Sequence, residues 1–128
     1  MKLLDSCVWM EVIAGSALGL RFKKLATDKQ NILISSLVQF EVRRWALREL
    51  TESCADDVVT ALREVIFVQT TEPIALLAAD LARQHKLHAI DALIYATALG
   101  HNAQLVTCDA HFKDLPQVDY TAKADSAQ

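Results

Sequence analysis

Glycine and proline are scarce in this 128-residue chain, with three and two copies respectively. So few glycines leave no GxGxxG or Walker sequence, which excludes folds that cradle a nucleotide phosphate on a glycine-rich turn. Cysteine is limited to Cys7, Cys54 and Cys108, an odd count at wide spacing with no CxxC pair. A disulfide framework is therefore not indicated, and a reducing compartment is the simple reading. No apolar run approaches the ~20 residues that cross a bilayer. Nor does a cationic start lead into a long apolar stretch. A cytoplasmic protein with no membrane partner is expected. An excess of positive charge is also missing. The net charge of -3 argues against a binder that holds nucleic acid through a basic patch alone, but not against a nuclease whose carboxylates are partly neutralised by metal.

What the chain does have is apolar residues, 52% of the total against 23% charged, enough for one domain with a sizeable core. Short apolar runs alternate with helical patterns. Leu3-Leu4 and Ile32-Leu33-Ile34 read as buried strands, Ile66-Phe67-Val68 as a third short strand, Leu105-Val106 as a fourth, and Val118-Asp119-Tyr120 as an edge strand. Helices are expected over Val8–Ala14, Ala17–Ala26, Leu37–Leu50, Asp56–Arg63, Ile74–His85 and from Asp91 to Leu99. Thr71-Glu72-Pro73 reads as the start of the fifth, whereas Thr51–Ala55 and Lys86–Ile90 read as connections. This alternation predicts an α/β fold: three layers, with a central parallel sheet of four to five strands between helices. The domain should occupy residues 1–121, and 122–128 should form a C-terminal tail.

Four carboxylates occupy telling positions. Asp5 ends the first strand and Asp109 follows the fourth. Glu41 lies ~1.5 turns into the helix opened by Ser35 and Ser36, on or beside its apolar face. Asp91 is the sole charge of a helix apolar nearly all round. Each has a plain structural explanation. Asp5 and Asp91 could be helix caps, and Glu41 could pair with Arg44 or Arg48 on its own helix. In a parallel sheet with right-handed crossovers, however, all strand ends share one edge, where ligands bind. Four acids gathered there repel one another unless a cation sits among them. An all-oxygen donor set suits Mg²⁺ or Mn²⁺, which lowers the pKa of a water and stabilises a phosphoryl transition state.

The ordered set Leu4-Asp5-Ser6, Ser35-Ser36-Leu37 with Glu41, Ala89-Ile90-Asp91-Ala92-Leu93-Ile94, and Leu105-Val106-Thr107-Cys108-Asp109 resembles a PIN domain. Within that family the length is most similar to VapC-type toxins of toxin–antitoxin pairs. The resemblance implies a strand order of 3-2-1-4-5 and a metal-dependent endoribonuclease that cuts transfer or ribosomal RNA. Asp5 and Asp91 would be the main Mg²⁺ or Mn²⁺ ligands. Glu41 would hold a water or a second metal, and Asp109 would bind metal or order the site. Ser6 would support the first carboxylate, and Thr107 would do the same near Asp109. It further implies a homodimer and a small VapB-like antitoxin that lays a C-terminal segment in the active-site groove. Lys23, Lys24, Arg43, Arg44 and Arg48 are candidate RNA phosphate contacts, although solvated helix surface explains any one of them equally simply.

Other chemistries fit less well. Cys7, Cys108, His88, His101 and His111 have no local spacing that suggests cysteine–histidine catalysis. A zinc site from Cys7, Cys108 and His111 lacks an evident fourth ligand. A haloacid-dehalogenase-like phosphatase would want a second Asp where Cys7 stands. The remaining alternative is a PIN-like module that binds RNA or protein without cutting.

Overall fold

A computed structural model describes residues 1–123. Five parallel strands form one sheet in the order β3-β2-β1-β4-β5: β1 (Lys2–Leu4), β2 (Ile32–Ile34), β3 (Ile66–Phe67), β4 (Gln104–Thr107) and β5 (Val118–Tyr120). The register sets Leu3 beside Leu33 on one side and Leu105 on the other. Leu3, Leu4, Ile32, Leu33, Ile34, Leu105 and Val106 are all buried, as expected of strands covered on both faces. Six helices complete the fold: α1 (Ser6–Ala14), α2 (Ala17–Ala26), α3 (Ser36–Glu49), α4 (Glu52–Leu62), α5 (Glu72–His85) and α6 (Ala89–Gly100).

Strand order and handedness place the helices. From β1 to β3 the chain steps one way across the sheet, and it then jumps back past β1 to β4. Right-handed crossovers therefore put α1 to α4 over one face and α5 and α6 over the other. The packing agrees: α1 meets α2 and α3, α3 meets α4, and α5 lies along α6. The direction of travel reverses between β1 and β4, and that switch point opens a crevice at the strands' carboxyl ends.

Three helices start earlier than the apolar periodicity indicates, two of them because of a side-chain cap. α1 begins at Ser6 and not Val8, with Asp5 as N-cap. α4 begins at Glu52, so Thr51–Ala55 is not a connection: the Thr51 hydroxyl accepts from the Cys54 N–H and starts the helix. α6 begins at Ala89, with His88 as N-cap, which puts Asp91 in the first turn and not at its start. β3 is half exposed at Ile66 and Phe67, because it is the sheet edge. Of the expected tail, only Ala122 and Lys123 fall among the described residues.

Candidate active site

Asp5 leaves β1 at the switch point, 3% exposed. Its backbone N–H still belongs to the sheet, donating to Val106 O at 2.9 Å. Its carboxylate is held at both oxygens. The Ser6 N–H donates to Oδ1 at 2.8 Å, and the Thr107 hydroxyl donates to Oδ2 at 2.8 Å. Thus Asp5 does cap α1, but the cap occupies only one of its oxygens. The Cys7 thiol makes a longer contact with Oδ2, at 3.7 Å.

Thr107 is fully buried at the end of β4. Besides donating to Asp5, its hydroxyl accepts from the Asp109 N–H at 3.0 Å. One side chain therefore fixes the first carboxylate and the backbone that carries the last. Asp109 in turn accepts from the His111 N–H at 2.9 Å, capping the short 3₁₀ turn Ala110–Phe112. That turn brings the His111 ring to the carboxylates. Its Nδ1 lies 3.2 Å from Asp109 and 3.6 Å from Asp91. Ligand atoms of Asp91, Asp109 and His111 all fall within 4.8 Å of one another.

Electrostatics tie the cluster together. Burial pushes Asp5 up to about 6, against the pull of its bonds from Thr107 and Ser6, and Glu41 and Asp91 add repulsion. Glu41 is also raised, first by burial and then by Asp91 and Asp109, while a bond from the Ser6 hydroxyl and the charge of Arg44 oppose the rise. Asp91 is raised by burial and by Asp109, with His111 and His88 opposing. Asp5, Glu41 and Asp91 are thus each raised in part by at least one other of the four acids. Ser6 serves two of them, Asp5 through its N–H and Glu41 through its hydroxyl.

A model of the PIN domain family matches residues 2–118. The chain belongs to the PIN domain family. No curated protein sequence matches it. Among solved structures, a toxin–antitoxin complex from Klebsiella pneumoniae contains a chain that superposes with a TM-score of 0.79 at 22% identity, over 93% of this chain and 96% of that one. The Mycobacterium tuberculosis toxin VapC20, described as cleaving the sarcin–ricin loop, gives a TM-score of 0.76 at 20% identity, over 91% of this chain and 95% of that one. VapBC2 from Rickettsia felis, bound to a promoter DNA fragment, gives 0.72 at 20%, over 94% and 97%. At these identities the likeness is one of fold.

In this PIN domain the donor set fits a divalent cation. Asp5, Glu41 and Asp91 are raised first by burial and then by neighbouring acids, and no lysine or arginine is paired with Asp5, Asp91 or Asp109 among the ion pairs of the described residues. The set is not all oxygen, however, because His111 brings an imidazole nitrogen. The sequence pattern treats His111 as a turn residue. The signal available there is the Asp-x-His spacing directly after a buried strand.

The basic residues scatter. Arg43 pairs with Asp56 at 2.9 Å and Arg48 with its neighbour Glu49 at 2.9 Å. Arg44 lies over Phe40, 5.8 Å from the ring centroid, and close enough to Glu41 to lower its pKa. Lys23 and Lys24 are exposed in the last turn of α2. Lys23 lines a groove with Lys29 and Glu64, residues that precede β2 and β3 and so lie towards the sheet edge opposite the carboxylates. Cys7 and Cys108 form a contact pair beside the site, with the Cys108 N–H donating to Cys7 Sγ at 3.3 Å. The side-chain bond with Cys108 and then burial raise the Cys7 thiol far above the usual range. Neither cysteine joins the cluster that could hold a metal ion among the described residues.

Proposed function

We propose that this PIN domain is a metal-dependent endoribonuclease and the toxin of a type II toxin–antitoxin pair. The observation that carries the reading is the convergence of Asp5, Glu41, Asp91 and Asp109 on the crevice between β1 and β4, each raised acid held up partly by the others. Asp5 and Asp91 would be the main ligands of Mg²⁺ or Mn²⁺, with Asp109 and His111 completing the set. A divalent ion bound there would supply Lewis acidity towards the phosphodiester and the attacking water. The chain's own residues do the rest. Thr107 and the Ser6 N–H fix the two oxygens of Asp5, so one orientation is presented without rearrangement. Glu41, oriented by the Ser6 hydroxyl, takes the proton of the attacking water through its carboxylate. The oxygen leaving phosphorus departs on the opposite side, in line with the attack.

The toxin assignment rests on the fold shared with chains of toxin–antitoxin complexes. An acidic site open at the sheet edge would accept a basic segment of a small antitoxin. Cytoplasmic location and a homodimer complete the proposal. No helix among the described residues is long and apolar enough to cross a membrane.

The test is incubation of the purified protein with total RNA, without metal and with Mg²⁺ or Mn²⁺, beside Asp5→Asn. Cleavage should need a metal and should be lost in the variant. RNA that stays intact in every metal, or an Asp5→Asn variant that cuts as well as the parent, would leave the non-cutting binding module as the reading. Expression of the chain alone should arrest growth, and co-expression with its neighbouring small reading frame should restore it.

A further inference from the structure

The outer side of α3 carries a feature that the carboxylates do not use. Phe40, Arg43, Arg44 and Leu47 follow one another at helical spacing and face Val59 and Arg63 of α4, enclosing a groove of ≈ 490 Å³. Phe40 is 55% exposed and Leu47 48% exposed, and both line the one groove, so they form an apolar patch and not scattered single residues. Three guanidinium groups surround them in a protein whose net charge is -3. The Arg63 guanidinium makes no hydrogen bond or ion pair among the described residues. Arg43 is held only by Asp56, an exposed pair that competes weakly with a phosphate.

We infer that this α3–α4 groove holds one unpaired nucleotide of the RNA, its base stacked on Phe40 and its phosphates on Arg44 and Arg63. The inference rests on the nuclease reading for its substrate class and adds where a nucleotide flanking the cut is gripped. An exposed aromatic ring amid arginines is the arrangement that binds single-stranded nucleic acid, because every base has a π-face and every linkage a charge. A purely apolar partner would leave Arg44 and Arg63 facing a surface with nothing to neutralise them, so the charges favour RNA over a hydrophobic helix. Position agrees. Phe40 precedes Glu41, and Arg44 already acts on the Glu41 carboxylate. Ser36, which also lines the groove, opens α3 at the same sheet edge as Asp5. One end of the groove, at Ser36, thus lies at the start of α3, on the side of the sheet where the acids stand. Arg48, paired with Glu49, lies outside it.

The probe is a fluorescein-labelled single-stranded 12-mer RNA of mixed sequence, read by anisotropy in EDTA so that no cutting intervenes. Phe40→Ala should weaken binding about tenfold, and Phe40→Trp should restore it. Arg44→Ala and Arg63→Ala should each weaken binding and lower the slope of log affinity against log salt by about one. Arg48→Ala should change neither. An abasic 12-mer should bind the parent and Phe40→Ala alike, which separates stacking from charge. Circular dichroism melts should be unchanged, since Phe40 supports no core. The inference is overturned if the parent does not bind the 12-mer, or if Phe40→Ala binds it as the parent does. It is also overturned if Phe40→Ala and Arg63→Ala spare RNA binding but break a complex with a co-expressed small protein, which would give the groove to a protein. Failure of the nuclease reading looks different: binding that depends on Phe40 would persist while no metal produces cleavage.

Discussion

The charges at the carboxyl edge of the sheet and those on the outer helices obey opposite rules. On the outside several charges are solvent-accessible and answered by their opposites: Lys29 by Glu64, Arg43 by Asp56, Arg48 by Glu49. At the sheet edge four acids are drawn out of water towards one another, with Asp5 only 3% exposed. Exposed pairs contribute little and tolerate loss. A cluster of like charges, one buried and three half-buried, opposes folding, so its presence points to a task that needs the charge. The contrast predicts where substitution will harm activity and where it will harm nothing.

The largest effect should come from Asp91→Asn, which removes a carboxylate from the first turn of α6 without disturbing its buried face. RNA cleavage should fall by about 10²–10³-fold, while the melting temperature of the metal-free protein should not fall. A variant that melts well below the parent would show that Asp91 serves the helix, in the manner of the outer charges. The second effect reverses the usual sign of a mutation. Asp5 has a folded pKa of about 6 against an ordinary 3.8. Between those values the folded state holds the proton more firmly than the unfolded chain, so stability falls as pH rises through that window. Above it the carboxylate costs up to about 3 kcal/mol. Asp5→Asn should therefore melt higher than the parent at pH 7.5 in EDTA and no higher at pH 3.5. Mn²⁺ should raise the melting point of the parent at pH 7.5 and not that of the variant. A variant less stable than the parent at pH 7.5 would make the strand end structural.

Thr107→Val probes the boundary between the two kinds of site, since this residue is buried and neutral yet serves the acids. The shape is kept, but the donor to Asp5 and the acceptor for the Asp109 N–H are both lost. Unsatisfied buried groups should cost about 1–2 kcal/mol in a denaturant melt, and Mn²⁺ affinity by calorimetry should drop. Thr107→Ser, which retains the hydroxyl, should recover most of both. A valine variant that binds Mn²⁺ as the parent does would remove Thr107 from the site.

The strands, and the placing of four acids at strand ends or on apolar helix faces, were legible in the sequence because they rest on local signals, whereas the order of the strands came from the resemblance to the family. Leu3-Leu4 and Ile32-Leu33-Ile34 are uninterrupted apolar runs, and each acid stands at a strand end or on an apolar helix face. What was not legible was which group holds which. The bond from Thr107 to Asp5 joins residues 102 apart in sequence and exists only because β1 pairs with β4 in one register, Leu4 beside Val106. Likewise His111 reaches Asp91 only because α6 and the turn after β4 end up side by side. Helix starts were misread wherever a cap preceded the apolar pattern, as at Thr51, whose hydroxyl begins α4 among polar residues that resemble a loop.

The smallest effect is the most direct check on the outer rule. Arg48 is 63% exposed on its side chain and Glu49 51%, so water screens the pair and both side chains lose freedom in forming it. Arg48→Ala should change stability by less than about 0.5 kcal/mol in a urea melt, and neither cleavage nor RNA binding should move. The same substitution at Arg44 differs in kind, although the two sit on one helix. Arg44 lowers the pKa of Glu41, so Arg44→Ala should leave stability nearly as unaffected while Glu41 titrates at higher pH, shifting the rising limb of the cleavage profile upward. If Arg48→Ala shifts that limb as far as Arg44→Ala does, the field of the whole helix and not the contact is responsible. The division between charges that serve the fold and charges that serve the site would then have to be redrawn along α3.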